Sequence, residues 1–182
     1  LKKIPNWIKK EFKNIILCEE ESLFKIISNL KNGSFCIDKN TCSIFEQEII
    51  NSKFNIKHHI DPIYELKSIK NKIEIKNTLK AHKEDGVALT KFLYWFKNNK
   101  KRITEERIEK KLQKFRQKSK NYLYPSFDTI AGSGPNGAII HYKSSHETNR
   151  TINKNDILLI DSGGQYKWGT TDVTRTVCLG KV

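Results

Sequence analysis

Two aspartates in the last quarter of the chain have the setting of a metal-binding pair. Asp161 follows the apolar run Ile157–Ile160, where an unpaired carboxylate would be costly to bury. Asp172 lies in the next segment with strand character. If the intervening hairpin turns at Tyr166 and Lys167, the two aspartates lie directly opposite each other, with Cβ atoms about 4.5–5.5 Å apart.

Two carboxylates at that separation repel each other unless a cation lies between them or one of them is protonated. Carboxylate oxygens are hard ligands that suit Mn²⁺, Co²⁺ or Zn²⁺, so the pattern predicts a divalent-metal site. A structural role is the second interpretation. Asp161 could cap the glycine turn that follows it, and Asp172 could pair with Arg175 or bond with Thr170 and Thr174. The spacing alone leaves both interpretations open.

The elements that would position these acids form an α/β pattern with a domain boundary near residue 70. Residues 1–70 have the pattern of helix, strand, helix and strand, with Asp38 or Thr41 expected to cap the second helix. Residues 71–182 begin with two helices that are expected to meet near Asp85–Gly86. The pattern therefore predicts that the chain contains the end of one α/β domain followed by the first part of another.

The later segments have the pattern of a further helix and then of strands joined by glycine-rich turns. The helix is expected to start after Thr104, with Glu105 on a solvated face. Two strands are expected on either side of Gly132–Gly137, the second of them at Ala138–Tyr142. The uninterrupted apolar run Ile157–Ile160 predicts a strand covered on both faces.

Composition and charge exclude several classes of function. The formal net charge is +14, but lysine supplies 29 of the 34 basic residues and is dispersed along the chain, so we expect no nucleic-acid partner. No apolar run is long enough to span a membrane, and no signal-peptide pattern is present. The chain contains no methionine, so Leu1 is not expected to be a natural start. We expect a cytoplasmic protein.

The last 57 residues carry motifs of a known family. The motifs are Ser126-Phe127, Gly134-Pro135-Asn136-Gly137-Ala138-Ile139-Ile140-His141-Tyr142, Leu159-Ile160-Asp161-Ser162-Gly163 and Gly169-Thr170-Thr171-Asp172-Val173-Thr174-Arg175-Thr176. They closely resemble the catalytic domain of the eukaryotic-type, three-domain cytosolic aminopeptidase P. Residues 77–96 resemble the start of the same domain, and residues 1–70 resemble the end of the family's creatinase-type non-catalytic domain.

The resemblance implies an α/β "pita-bread" catalytic domain that removes an N-terminal residue preceding proline. Such enzymes use two divalent ions, commonly Mn²⁺, with Zn²⁺ and Co²⁺ as alternatives. By motif, Asp161 matches the aspartate that chelates one ion, Asp172 the aspartate that bridges both, and His141 a histidine of the substrate pocket. The implied partner is a peptide with proline in second position, and the full-length family member is expected to be a homodimer.

The family's remaining metal ligands, one histidine and two glutamates, lie beyond Val182 in the family's order. We therefore expect this chain alone to be catalytically inactive. Within the fold, proline dipeptidase and methionine aminopeptidase are rival activities. Three further hypotheses compete with an active peptidase: a catalytically dead scaffold or binding protein on the same fold, a remnant of a split gene, and a basic nucleic-acid binder.

Overall fold

The structure is a computed structural model that describes residues 4, 6–11, 14–31 and 33–180. The chain is α/β and divides into two compact units, of which the first ends at Ile69 and the second begins at Lys70. No helix among the described residues is long and apolar enough to cross a membrane.

The first unit has two parallel strands joined by a helical crossover, the connection that parallel pairing requires. Its small core is formed by Ile27, Ile37, Ile50 and Phe54. Its elements are α1 (Asn6–Glu11), a 3-10 helix (Glu20–Ser22), α2 (Leu23–Asn29), β1 (Ser34–Ile37), α3 (Ile44–Asn51), β2 (Asn55–His58) and α4 (Pro62–Ser68).

The N-terminal cap of α3 differs from the prediction. Ser43 is the cap, and it forms a reciprocal capping box with Glu46. Neither Asp38 nor Thr41 caps this helix. Asp38 instead accepts the backbone N–H of Asp61 at 3.0 Å, and this hydrogen bond lowers the pKa of its carboxyl. The Asp38 carboxylate therefore connects the segments that follow the two strands β1 and β2.

The second unit begins with a helix pair, α5 (Lys72–Asn98) and α6 (Glu105–Arg116). The predicted break near Asp85–Gly86 is wrong, since α5 is continuous over 27 residues. A glycine inside a helix costs only about 1 kcal/mol relative to alanine, and Asp85 is held on the buried face by Arg116 of α6. The start of α6 is as predicted, because the Thr104 side chain accepts the N–H of Arg107.

Two three-stranded antiparallel sheets follow, in the orders β3-β6-β7 and β4-β5-β8. Helices α5 and α6 share one apolar core with the β4-β5-β8 sheet, which includes Phe92 and Leu112 from the helices and Leu158 from the sheet. The strands are β3 (Tyr122–Pro125), β4 (Ile130–Ser133), β5 (Ile157–Ser162), β6 (Gly164–Tyr166), β7 (Gly169–Thr170) and β8 (Val173–Cys178).

The central strand β5 is covered on one face only within the part of the chain that the structure describes. Leu158, Ile160 and Ser162 are buried, whereas Ile157 is 57% exposed. The prediction of a strand covered on both faces is therefore wrong for these residues. The carboxylate of Asp161 lies on the less covered face.

The strand predicted at Ala138–Tyr142 is also absent. Residues Gly134–Ala138 form a 3-10 helix, and the backbone then continues in turns. Its N–H groups bond locally, from Ile139 to the Asn136 carbonyl at 3.2 Å and from Tyr142 to the Ile139 carbonyl at 3.3 Å. These local bonds occupy donors that a strand ladder would need.

Candidate metal and substrate site

The β5–β8 pair places Asp161 at the centre of its sheet, but with a different partner from the one predicted. Asp161 lies opposite Thr174 of β8, and Tyr166 pairs with Gly169, so the tight turn falls at Lys167 and Trp168. The predicted turn position and the direct Asp161–Asp172 pairing are therefore wrong. The shift is two residues, which preserves the face on which side chains project.

Both aspartates line one cleft of about 430 Å³. Asp172 lies just before β8, two residues from the Thr174 that faces Asp161, so the two aspartates are not directly opposed. Both nevertheless line the same space. The other residues that line the cleft are Phe127, Asp128, Thr129, Ile130, His141, Tyr142 and Lys143.

The two carboxylates differ in their surroundings. Asp161 is half-buried and accepts the hydroxyl of Thr174 at 2.8 Å. The side chain of Asp172 is exposed and makes no hydrogen bond or ion pair with any residue that the structure describes. Arg175, one of its expected structural partners, instead donates to the backbone carbonyl of Thr174 at 2.7 Å. The expected structural roles are therefore not observed among the described residues: Asp161 accepts Thr174 and does not cap the glycine turn, and Asp172 bonds with none of its expected partners.

The donor chemistry fits a divalent cation in part. Two carboxylates open to one cleft are the oxygen ligands that Mn²⁺ and similar ions take. Among the described residues, no group of three or more His, Cys, Asp or Glu side chains could hold a metal ion. Asp161 and Asp172 can therefore serve as two members of a larger ligand set, not as a complete one.

His141 lies in the same cleft and has an unusual backbone conformation. Its φ is 53°, which makes it the single non-glycine residue in the left-handed region among those described. Its imidazole is exposed to solvent. The next residue, Tyr142, also lines the cleft but is only 5% exposed, so the turn combines an exposed side chain with a buried one.

An ion pair lies at the edge of the cleft. Lys143 donates to Asp128 at 2.8 Å, and this hydrogen bond lowers the pKa of the Asp128 carboxyl. Both side chains are highly exposed, so the pair adds little stability. It places a cation and a carboxylate on the lining of the cleft.

Glu105 supports the loop that carries His141, and its role was not predicted from the sequence. It is fully buried, so its assignment to a solvated face is wrong. Its carboxylate accepts the Tyr142 hydroxyl at 2.7 Å, the Ser133 N–H at 2.7 Å and the Arg150 N–H at 2.9 Å. The side-chain amide of Asn136 donates to both of its oxygens at 3.1 Å.

A second buried carboxylate, Asp85, pairs with Arg116 behind the sheet. The Arg116 Nε donates to Asp85 Oδ1 at 2.6 Å, and its Nη2 donates to Oδ2 at 3.0 Å. The sequence does contain a signal for Arg116 and for Glu105. These two residues follow the same three- and four-residue spacing as the apolar Ile108 and Leu112, which places all four on one helix face.

Comparison with known proteins identifies the family. The model of metallopeptidase family M24 matches residues 76–182, and the chain belongs to this family. The resemblance to Xaa-Pro aminopeptidases is confirmed. The chain is 46% identical over 125 residues to the "Xaa-Pro aminopeptidase ApepP" of Drosophila melanogaster and 43% identical over 131 residues to a "Probable Xaa-Pro aminopeptidase P" of Sordaria macrospora.

These matches cover 67% and 68% of this chain but only 20% and 21% of the relatives, so the chain spans about one fifth of their length. Among solved structures, an X-prolyl aminopeptidase from Caenorhabditis elegans, described as a cytosolic enzyme with a di-nuclear active site, matches with a TM-score of 0.67 and 34% identity, over 74% of this chain and 22% of that one. A prolidase from Thermococcus sibiricus matches with a TM-score of 0.71 and 28% identity, over 97% and 50%. These pita-bread enzymes confirm the predicted fold class.

Proposed function

We propose that this chain forms part of a metal-dependent aminopeptidase that releases the N-terminal residue of peptides with proline in second position. The observation that carries the proposal is the cleft that Asp161 and Asp172 share, in a chain that belongs to a metallopeptidase family. The relatives named Xaa-Pro aminopeptidases, at 43–46% identity, support the choice of substrate.

In this proposal each of the three cleft residues has a separate role. Asp161 would chelate one divalent ion, and Asp172, which is free of protein partners among the described residues, would bridge two. His141 would contact the substrate, because its exposed side chain lines the same cleft. Asp161 is part of β5, and Asp172 directly precedes the partner strand β8, so the β5–β8 pairing positions the segments that carry both carboxylates.

The bound ions, Mn²⁺ in our proposal, would lower the pKa of a shared water molecule and polarise the scissile carbonyl. The carboxylates of Asp161 and Asp172 would hold the ions and neutralise part of their charge. Two carboxylates do not complete a dinuclear ligand set, so we propose that the chain alone is inactive. We further propose that the whole enzyme is a cytoplasmic homodimer.

Proline dipeptidase is the second candidate. The prolidases from Thermococcus sibiricus and Pyrococcus furiosus match 97% and 98% of this chain, with TM-scores of 0.71 and 0.73. The second of these is only 24% identical and supports the fold alone. The two activities differ in substrate length, since a dipeptidase requires a free carboxylate directly after the proline.

A peptidase assay tests the proposal. The chain is assayed with Mn²⁺ on an Xaa-Pro-Xaa tripeptide and an Xaa-Pro dipeptide, both alone and after fusion to the C-terminal part of a relative's catalytic domain that supplies a complete family ligand set. We expect no turnover by the chain alone, tripeptide cleavage by the fusion, and loss of cleavage in its Asp172→Asn variant. Turnover by the chain alone, or full activity in the variant, would contradict the proposal, and dipeptide preference would select the second candidate.

A further inference from the structure

Each candidate metal ligand is followed or preceded in sequence by a fully buried hydroxyl residue. Ser162 follows Asp161, Thr171 precedes Asp172, and both Ser162 and Thr171 are 0% exposed. Successive side chains in extended backbone point to opposite faces, so whatever holds these hydroxyls inside also fixes the direction of the adjacent carboxylates.

The Ser162 hydroxyl is bound by the guanidinium that already pairs with Asp85. Arg116 Nη2 donates to Ser162 Oγ at 3.1 Å, in addition to the two bonds that the guanidinium makes to the Asp85 carboxylate. The Arg116 and Asp85 side chains are 2% and 3% exposed. A planar guanidinium with three directed bonds has little freedom to rotate, so the position of Ser162 relative to both helices is closely defined.

The same carboxylate also holds the strand that leads toward Asp172. The Tyr166 hydroxyl donates to Asp85 Oδ1 at 2.8 Å, and Tyr166 is 1% exposed. Burial raises the pKa of this phenol, with its hydrogen bond to Asp85 adding to the effect. Tyr166 therefore remains a protonated donor at neutral pH, and β6 stays attached to the helix pair.

The segments next to the two aspartates are packed together without spare room. The Thr171 N–H donates to the Gly164 carbonyl, and the Gly164 N–H donates to Thr171 Oγ1, both at 2.9 Å. A Cβ at Gly163 would lie 1.9 Å from the Thr171 carbonyl oxygen. If the helices displaced β5 or β6, Thr171 and the adjacent Asp172 would therefore have to move as well.

We propose that Arg116, Asp85 and Tyr166 are positioning residues that set the separation of the Asp161 and Asp172 carboxylates from behind the sheet. This inference rests on the proposed function, because it assigns those carboxylates to a metal. If the ion pair between Arg116 and Asp85 had only a structural role, it would need no hydrogen bonds beyond those between the two residues. Here the guanidinium and the carboxylate each make one further bond, and those bonds reach the strands on the two sides of the site.

Two variants remove these further bonds and leave the Arg116–Asp85 pair intact: Ser162→Ala and Tyr166→Phe. The measurement is a Mn²⁺ titration of the ¹⁵N-labelled chain, with paramagnetic broadening of the backbone amide signals around Asp161 as the readout, because broadening reports even weak binding. Loss of a group that orients a ligand typically lowers metal affinity about 10–100-fold. We expect each variant to weaken Mn²⁺ binding about tenfold.

The matched control is Ile108→Val, which removes one methylene from the core that α6 shares with the sheet and touches no polar group of the network. It should lower the melting temperature and leave Mn²⁺ affinity unchanged. A second reference, Asp161→Asn, should abolish the broadening.

If Asp161→Asn loses binding while Ser162→Ala and Tyr166→Phe bind like the unmodified chain, the positioning role is overturned and the proposed function stands. If Asp161→Asn binds Mn²⁺ normally, or the unmodified chain shows no local broadening, the metal assignment fails and the positioning role falls with it.

Discussion

The two faces of strand β5 have opposite characters although their residues alternate along one short segment. The face toward the helices carries Leu158, Ile160 and Ser162, all at most 1% exposed. The opposite face carries Ile157, Leu159 and Asp161, which are exposed or half-buried. One face is fixed by apolar packing and a buried ion pair, whereas the second presents a carboxylate to a cleft.

The difference shows that the residues that stabilise this unit and the residues that could bind a ligand lie on different faces of β5. On the helix side the buried Asp85 carboxylate is paired with Arg116 and also accepts the Tyr166 hydroxyl. On the cleft side Asp172 has no partner among the described residues, which leaves its charge available to a ligand. The free energy that holds the site in place therefore comes from residues that do not touch the ligand.

Truncating neighbouring leucines on the two faces should give the largest contrast. Leu158→Ala removes a fully buried side chain from the core shared with α5 and α6, and should destabilise the unit by about 2–5 kcal/mol. Leu159→Ala removes the same atoms from the half-buried face and should lower the free energy of unfolding clearly less. Urea unfolding monitored by circular dichroism measures the free energy of unfolding of both variants. Equal losses would mean that the two faces do not differ in packing.

Two glycines provide a second contrast, of smaller size. Gly163→Ala would bring a Cβ to 1.9 Å from the Thr171 carbonyl oxygen and 2.2 Å from Ser126 Oγ, and should cost at least about 1–3 kcal/mol. Gly86→Ala lies in α5 with nothing within 4 Å of the new Cβ, and should stabilise the helix by about 0.5–1 kcal/mol. Thermal unfolding of both variants provides the check. A tolerated Gly163→Ala would refute the close packing next to Asp161.

The smallest expected effect is a dependence of stability on pH, and it arises from Asp156 in the loop that precedes β5. The N–H of Asn153 donates to Asp156 and, with bonds from Ser133 and the Asn153 side chain, lowers the pKa of Asp156 from its ordinary value of 3.8. A lowered pKa in the folded state gives stability that is present above the unfolded-state value and is lost as pH falls through the folded-state value.

The variant Asp156→Asn should therefore be less stable than the unmodified chain at about pH 7, by about 1 kcal/mol or less, with a difference that shrinks below about pH 4. Unfolding by urea at several pH values measures that difference. A difference that stays constant down to about pH 3 would show that the ionised carboxylate contributes nothing.

Local signals in the sequence are sufficient to predict some elements of the fold. The cap at Thr104 and the order of helix, strand, helix and strand within residues 1–70 depend on residues close in sequence, and both are observed as predicted. The break in α5 was wrongly predicted because the Asp85–Gly86 pair is typical of turns. What keeps the helix continuous there is Arg116, a partner 31 residues away that no local pattern reveals.

The candidate site was predicted in outline but not in register. The alternation of side chains along β5 and β8 was enough to place Asp161 and Asp172 on one cleft. Their direct pairing depended on the turn position, which lies one residue further along, at Lys167 and Trp168. Spacing alone does not fix that position, because it is set by the pairing of Tyr166 with Gly169 in a separate short sheet.

The most direct test of the metal site is a crystal structure of the chain grown with Mn²⁺ and recorded at a wavelength where manganese scatters anomalously. We predict an anomalous peak in the cleft, within coordination distance of carboxylate oxygens from both Asp161 and Asp172, and no such peak in the Asp172→Asn variant. Manganese bound elsewhere, or these two carboxylates turned away from each other and engaged by protein donors, would contradict it.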